Sequence, residues 1–373
     1  MTPSPAPAPR ATICRDPAEF AALAQQWARL HGGSTAATPF QSHAWLHSWW
    51  LSYGAPGRLR VVLVRRGDEL VGAAPLTLTY RPYPVLVPLG GAITDYTDVL
   101  VDSDADAATD GAVTAALADG VRRAARGAVV DLREVRSGAA AERLYAHWAG
   151  PKRRLPDSVC LELPGLPMDG LIARVGSSRG QRIRSALRKL DAAGVSERDV
   201  PAAEVPTAVE NLLRLHLLQW RDRGMNPEHE RPRFAAHLVR AASQMVAAGE
   251  AVITEFSVGG EVVAANLTVL SPGLAGGYLY GARPELRTGK VDVTTLLMRH
   301  GVRQAAGAGR PALSLLRGAE PHKFHWRPDP SPNHRILLAA WLTLPLLLTH
   351  FSLARTRAAA AASPRLRALL RRS

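Results

Sequence analysis

A chain of 373 residues with 47% hydrophobic and 21% charged side chains can bury real cores, and at roughly 100–200 residues per domain it accommodates two or three domains. Two cysteines, Cys14 and Cys160, exclude a disulfide scaffold and a cysteine-based zinc site; the twelve histidines carry neither HExxH nor a Cys-His spacing, so no metal is expected. A net charge of +14 favours anionic partners without choosing among phosphate, nucleic acid and acidic lipid, and no phosphate-loop or Rossmann glycine motif is present.

Residues 1–12, which include MTPSPAPAPR, read as a disordered tail. They lack the apolar run of a secretory signal, so a cytoplasmic location is expected. Asp16 and Pro17 predict the start of a helix over 18–30, and the aromatic-dense 42–53 a second. Runs at 59–64 and 70–79 flank Arg-Arg-Gly-Asp-Glu as a hairpin. Short strands and turns are expected over 85–101, an Ala-rich helix over 110–126, a strand at 128–132, a helix at 139–148 and a strand at 158–163. Pro and Gly in LPGLPMDG mark a boundary near 164–170. A basic helix over 178–190 follows, then helices near 205–222 and 231–248. A second hairpin, 251–258 with 261–270, turns at Gly259-Gly260. LAGGYLYGA reads as a strand, RPELRTGK as a loop, 292–306 as a helix and 312–316 as a strand.

The two hairpins are near copies: GDELVGA begins at Gly67 and GGEVVAA at Gly259. Any hairpin with a Gly turn reads alike, but the order helix, helix, hairpin, then strand–helix–strand occurs in both halves. The expected fold class is therefore α/β (α+β), a tandem pair of modules, each a mixed sheet flanked by helices. The modules are expected at 13–165 and 166–330, with 331–373 a separate apolar, then Arg-rich, tail.

This order resembles the GCN5-related (GNAT) acetyltransferases. Eight segments carry a closer resemblance to the bacterial CelD-like acetyltransferases, relatives of the FemAB peptidoglycan aminoacyltransferases. They are PFQSHAWLHSWWLSYG, GDELVGAAPL, LGGAITDYTDVLV, SSRGQRIRSALRKL, LLRLHLLQWRDRG, GGEVVAANLTVL, YLYGARPELRTGK and LLRGAEPHKFHW. The resemblance implies a double acetyltransferase fold that transfers an acyl group to an amine or hydroxyl, with acetyl-CoA or another acyl-CoA as donor.

Several residues could carry such chemistry. Backbone N–H groups and the dipole at a helix start hold a pyrophosphate, so Arg287, Gly289, Lys290, Val291 and Asp292 are candidates for the donor site. The family's loop usually reads Arg/Gln-x-x-Gly-x-Gly/Ala. Here Val291 and Asp292 stand near the place of its second small residue, and an ordinary strand-to-helix loop capped by Asp292 is the alternative. GAEPHK resembles the family's Gly-x-Glu-x-(aromatic)-Lys, with His322 in the aromatic place. Lys323 could stabilise an oxyanion, and Glu320 could orient it or accept a proton. Glu255 is a candidate general base or the solvent side of a strand. Arg179 and Arg182 stand on a basic helix suited to phosphate or carboxylate, or simply solvated. Asp95, Tyr96 and Asp98 match the family's Asp-Tyr-x-Asp and could orient an acceptor or form a turn. His216 and Trp220 share a helix face, as cleft or core. No Ser-His-Asp arrangement emerges, so direct transfer in a ternary complex is expected.

From His334 to Ser373 there are seven arginines and no acid. The apolar run 336–353 reads as a helix buried against the second module, lying in a membrane interface, or spanning it. The expected partner is a small-molecule acceptor, such as a sugar or cell-envelope precursor, with no sequence-specific nucleic acid and with peripheral membrane contact through the tail as one alternative. A Fem-like transferase using aminoacyl-tRNA, and a non-catalytic anion-binding or membrane-associated protein of the same fold, are the rival readings.

Overall fold

Residues 7–80, 82–103, 107–220, 226–287, 291–318 and 320–362 are described by a computed structural model, apart from the side chains of 107–109, 287 and 360–362. β1 (Arg10–Cys14) leads into α1 (Pro17–Ala22), where Asp16 accepts a hydrogen bond from the Ala18 N–H and Pro17 takes the first helical position. Leu23 breaks the predicted helix, and α2 (Ala24–Gly33) continues it. α3 (His43–Tyr53) is capped by the Ser42 hydroxyl. The first hairpin is β2 (Leu59–Arg66) with β3 (Glu69–Tyr80). It is followed by β4 (Pro84–Pro88), β5 (Leu100–Val101), α4 (Ala107–Ala124), β6 (Val129–Arg136), α5 (Ala140–His147) and β7 (Lys152–Pro164).

The second half opens with α6 (Met168–Arg174), the basic α7 (Ser177–Ala192), β8 (Ser196–Asp199), α8 (Val205–Trp220) and α9 (Pro232–Ala247). The second hairpin is β9 (Ala251–Val258) with β10 (Glu261–Leu270). β11 (Leu274–Ala282), α10 (Val293–Ala306) and β12 (Ala312–Arg317) complete the repeat, and β13 (Asp329–Leu338) and α11 (Leu344–Ala362) follow. The mixed sheet runs β1-β2-β3-β4-β6-β13-β7-β12-β11-β10-β9-β8, with β5 beside β3. Helices cover both faces, so most strands are buried on both sides.

The duplication is visible in the backbone. The hairpin turns hold Gly67 at φ 60° and Gly259 at φ 59°. Gly309 follows Gly127 by 182 residues, and Leu316 follows Glu134 by the same 182; all four have positive φ. Two non-glycine residues held left-handed at matched points of two central strands reflect one backbone used twice.

Four expectations need correction. Residues 10–12, read as disordered, belong to β1, which pairs antiparallel with β2. β8 was not expected; SERD carries no apolar alternation to mark it. The run 336–353 is not one helix. Ile336, Leu337 and Leu338 end β13, which lies between β6 and β7 and is antiparallel to both. The helix begins only at Leu344, with Pro345 in its first turn, where proline is tolerated. Finally, α11 packs through Leu347 on Val129 and Leu337, against the first half rather than the second.

α3 and α9 join the halves, and His237 lies fully buried between them, 4.6 Å edge-on to Trp45. Burial, with help from Arg240, lowers its pKa to about 3. The unfolded chain takes up a proton near pH 6.5 that the native state refuses. Stability from this residue is therefore full above pH 6.5 and is lost as pH falls toward 3. Between pH 6.5 and 5 the loss should be roughly 2 kcal/mol. Urea titrations of the parent chain and of His237→Phe at these two values should differ by about that amount, the variant being the less pH-dependent.

Candidate active site

β11 and β12 run parallel only from Leu274 beside Ala312 to Gly276 beside Ser314, and then part. Leu316, at φ 57°, drives the divergence; its side chain lies over Gly276, where a Cβ would meet Leu316 Cδ2 at 3.0 Å. A buried leucine in this conformation costs on the order of 1–3 kcal/mol and persists only where its surroundings fix it. The gap holds a narrow cavity of about 120 Å³, walled by Leu297 and Met298 of α10, Leu313 and Leu315 of β12, and Trp326, with Asn266 and Thr268 as polar members.

Two larger cavities share its walls. One, of about 560 Å³, lies against α7 and the start of α10 and is lined by Arg182, Ser185, Lys189, Val291, Asp292 and Thr294. The other, of about 490 Å³, is a cleft between the halves lined by Asp95, His216, Trp220, His229, Arg317 and Lys323. Tyr280 borders all three.

The junction is fixed by packing. At Gly281 an added Cβ would stand 2.3 Å from the His216 backbone nitrogen, so only glycine lets α8 lie this close to β11. His216 Nδ1 is consequently 2.7 Å from the Tyr280 carbonyl oxygen, which can only accept, so Nδ1 carries the proton. His216 Nε2 then accepts from His229 Nδ1 at 3.0 Å, which leaves His229 Nε2 as a free lone pair. Burial, then the neighbouring His216, lowers the His229 pKa to about 4, and burial lowers that of His216. Both rings are neutral at pH 7.

Lys323 lies where the narrow slot meets the cleft. Its ammonium donates to the carbonyls of Arg317 (2.8 Å) and Gly318 (3.3 Å) and pairs with Glu320 at 2.8 Å. Burial pushes the Glu320 carboxyl up, but the Lys323 ammonium more than offsets this and leaves it below its usual range. Arg317 ties the halves together: Nε pairs with Asp95, Nη1 reaches Glu134 at 3.1 Å, and Nη2 donates to the Ala92 carbonyl at 2.8 Å. Burial raises the Asp95 pKa against the pull of Arg317.

The structure thus brings Lys323, Glu320, Asp95 and Trp220 to one cleft, and Arg182, Val291 and Asp292 to the cavity beside it. Other expected residues lie elsewhere. The Glu255 carboxylate pairs with Arg198 at 2.7 Å and borders none of the three cavities, so it is not placed to act as a base there. Tyr96 is buried, bonded to Glu162 and Ser314 at 2.9 Å each. Asp98 accepts from the Val99, Ala140 and Ala141 N–H groups, so it caps α5 instead of facing an acceptor. Arg179 is half-buried on α7, outside the three cavities. Gly289, Lys290 and the Arg287 side chain lie outside the described residues. Sequence reasoning missed Arg317, Tyr280 and His229. Arg317 sits in LLRGAEPHK beside the motif used for Lys323, but its two carboxylate partners are about 180 and 220 residues away.

Residues 177–324 match the acetyltransferase (GNAT) domain model. Curated proteins give no match. Among solved structures, the chain resembles FemX at 11% identity and TM-score 0.62, over 86% of this chain and 97% of that one. It also resembles a conserved protein of unknown function from Bacteroides thetaiotaomicron (11%, TM-score 0.56, 88% and 99%) and L-PGS from Bacillus licheniformis (11%, TM-score 0.53, 93% and 98%). At such identity these likenesses show the fold. The matched model identifies residues 177–324 as a GNAT-type acyltransferase domain, and the splayed strands lie within it.

Proposed function

We propose that the chain moves an acyl group directly from an acyl-CoA thioester held by the second half to a small polar acceptor, an amine or hydroxyl of a sugar or cell-envelope precursor, held between the halves. The splay of β11 and β12 carries this reading. It makes a narrow, mostly apolar slot that joins a basic cavity to a polar cleft, which suits a thin thioester arm with a charged end. The acceptor nitrogen or oxygen attacks the carbonyl carbon, the C–S bond breaks, and the proton that the acceptor loses ends on the leaving thiolate. His229 Nε2, as the free lone pair of a neutral imidazole pair, is the group suited to carry that proton. Lys323 supplies positive charge where the oxyanion develops; its long bond to the Gly318 carbonyl is the one it would exchange. Ser314, one of the hydroxyls on the slot, is engaged by Tyr96 and by the Leu316 N–H, which supports direct transfer over a seryl intermediate.

One observation favours an aminoacyl-tRNA donor instead. Asp292 caps α10, accepting from the Thr294 N–H at 3.1 Å and the Thr295 hydroxyl at 2.6 Å. Its charge opposes a diphosphate at that helix start. Acyl-CoA would have to place its diphosphate nearer Arg182 and Lys189.

Gly277 tests the reading. A Cβ there would meet only Asn266 Oδ1, at 3.9 Å, so Gly277→Val should fold normally while filling the slot. Acetyl-CoA should bind the parent chain, and the variant should bind it at least roughly tenfold more weakly by titration calorimetry, with an unchanged melting temperature. A parent chain that ignores acetyl-CoA and instead binds tRNA would move the assignment to the second donor.

A further inference from the structure

Nine large hydrophobic side chains are strongly exposed among the described residues, and four of them fall within thirteen positions: Trp341 (71%), Leu342 (89%), Leu348 (45%) and Leu353 (40%). The next side chains to reach solvent include Arg355 and Arg357, and the sequence beyond carries four more arginines and no acid. At the base of the same patch, Leu337 and Leu338 pair with Arg153 and Lys152 of β7, and Arg153 is exposed. An apolar tip rimmed on both sides by unneutralised positive charge does not resemble a protein-covered face. We propose that this surface, the turn at Trp341–Thr343 with the start of α11, rests on an anionic lipid bilayer.

The patch is rigidly mounted. Asp131 takes both arms of Arg335 at 2.7 and 2.6 Å and His350 Nε2 at 2.9 Å, while the other His350 nitrogen bonds Tyr83 at 2.8 Å. α11 is therefore held to the first half, and Trp341 and Leu342 are presented from a fixed frame. No helix among the described residues is long and apolar enough to cross a membrane, so the contact lies on the surface. Burying an indole and a leucine in the headgroup region favours binding, and each arginine near an anionic surface adds to it.

The placement also says what the contact is for. Asn333, midway along β13, touches Asp95 at the cleft, whereas Trp341 lies beyond the C-terminal end of that strand. At about 3.3 Å per residue, the stretch from Asn333 to Leu338 alone spans roughly 17 Å. The bilayer holds the protein by the side remote from the cleft, and the cleft receives an acceptor from water. This proposal stands independently of the donor assignment.

The full chain should sediment with vesicles of phosphatidylglycerol and phosphatidylcholine at low salt, weakly with phosphatidylcholine alone, and less at high salt. Trp341→Ser with Leu342→Ser should cut partitioning roughly tenfold or more without changing the melting temperature. Arg355→Gln with Arg357→Gln should weaken it and flatten the salt dependence. Failure to bind anionic vesicles at low salt, equal binding to neutral ones, or equal binding by the serine variant each overturns the proposal. So does a dimer in solution that the serine variant dissociates, since a second copy would then be the occupant.

Discussion

Lys323→Met should lower turnover by about 100-fold or more while donor affinity changes little. The ammonium is mostly buried and pre-positioned by two carbonyls and Glu320 at the point where slot and cleft meet. A charge fixed there interacts most strongly with the oxyanion, which exists only during transfer, so its loss appears in kcat. Glu320→Gln removes a partner but leaves the charge, and should cost less. The measurement is single-turnover transfer, or slow hydrolysis of acyl-CoA, beside a calorimetric Kd. Full turnover in a folded Lys323→Met protein would reduce the lysine to a clamp on the β12 exit.

Arg317→Met should be the most destabilising single change near the cleft, by about 3–5 kcal/mol, because it strands Asp95 and Glu134 as buried carboxylates without their shared cation. The loss should depend on pH. The Asp95 pKa is already raised by burial, and without Arg317 it rises further. A carboxyl whose native pKa exceeds its unfolded value favours folding at low pH and disfavours it as pH climbs through the native value. The variant should therefore be less unstable at pH 5 than at pH 8 in urea titrations. Asp95→Asn in the same chain should restore part of the stability, because it removes one stranded charge. Equal losses at both pH values would mean that Arg317 acts through packing rather than charge.

Much of the architecture was legible because the local signals agreed with the fold. Asp16-Pro17, Ser42 and the Gly-turned hairpins act within a few residues, and the repeated hairpin identified the tandem arrangement. What escaped was set by distance along the chain. β13 looks like the head of an apolar helix because its strand character comes from β6 and β7, which flank it in space and not in sequence. The candidate site divides the same way. Lys323 and Glu320 sit in one contiguous motif and were readable together. Glu255 and Asp98 have suitable chemistry, but their partners, Arg198 and the α5 start, turn them to structural tasks. Arg317 and His229 acquire meaning only once Asp95, Glu134 and His216 are folded beside them.

The insertion of β13 between β6 and β7 also bears on how the protein is made. Until residues 329–338 are available, β6 lacks its neighbour on that side, and β7 lacks the partner of its first residues. The first half leaves the ribosome early but cannot close its sheet until the second half has followed it. Open strand edges invite wrong pairing, and this gap stays open while the whole second module is made. Two copies of one module have thus become a single cooperative unit. Cutting the chain between them would yield not two small domains but two incomplete sheets.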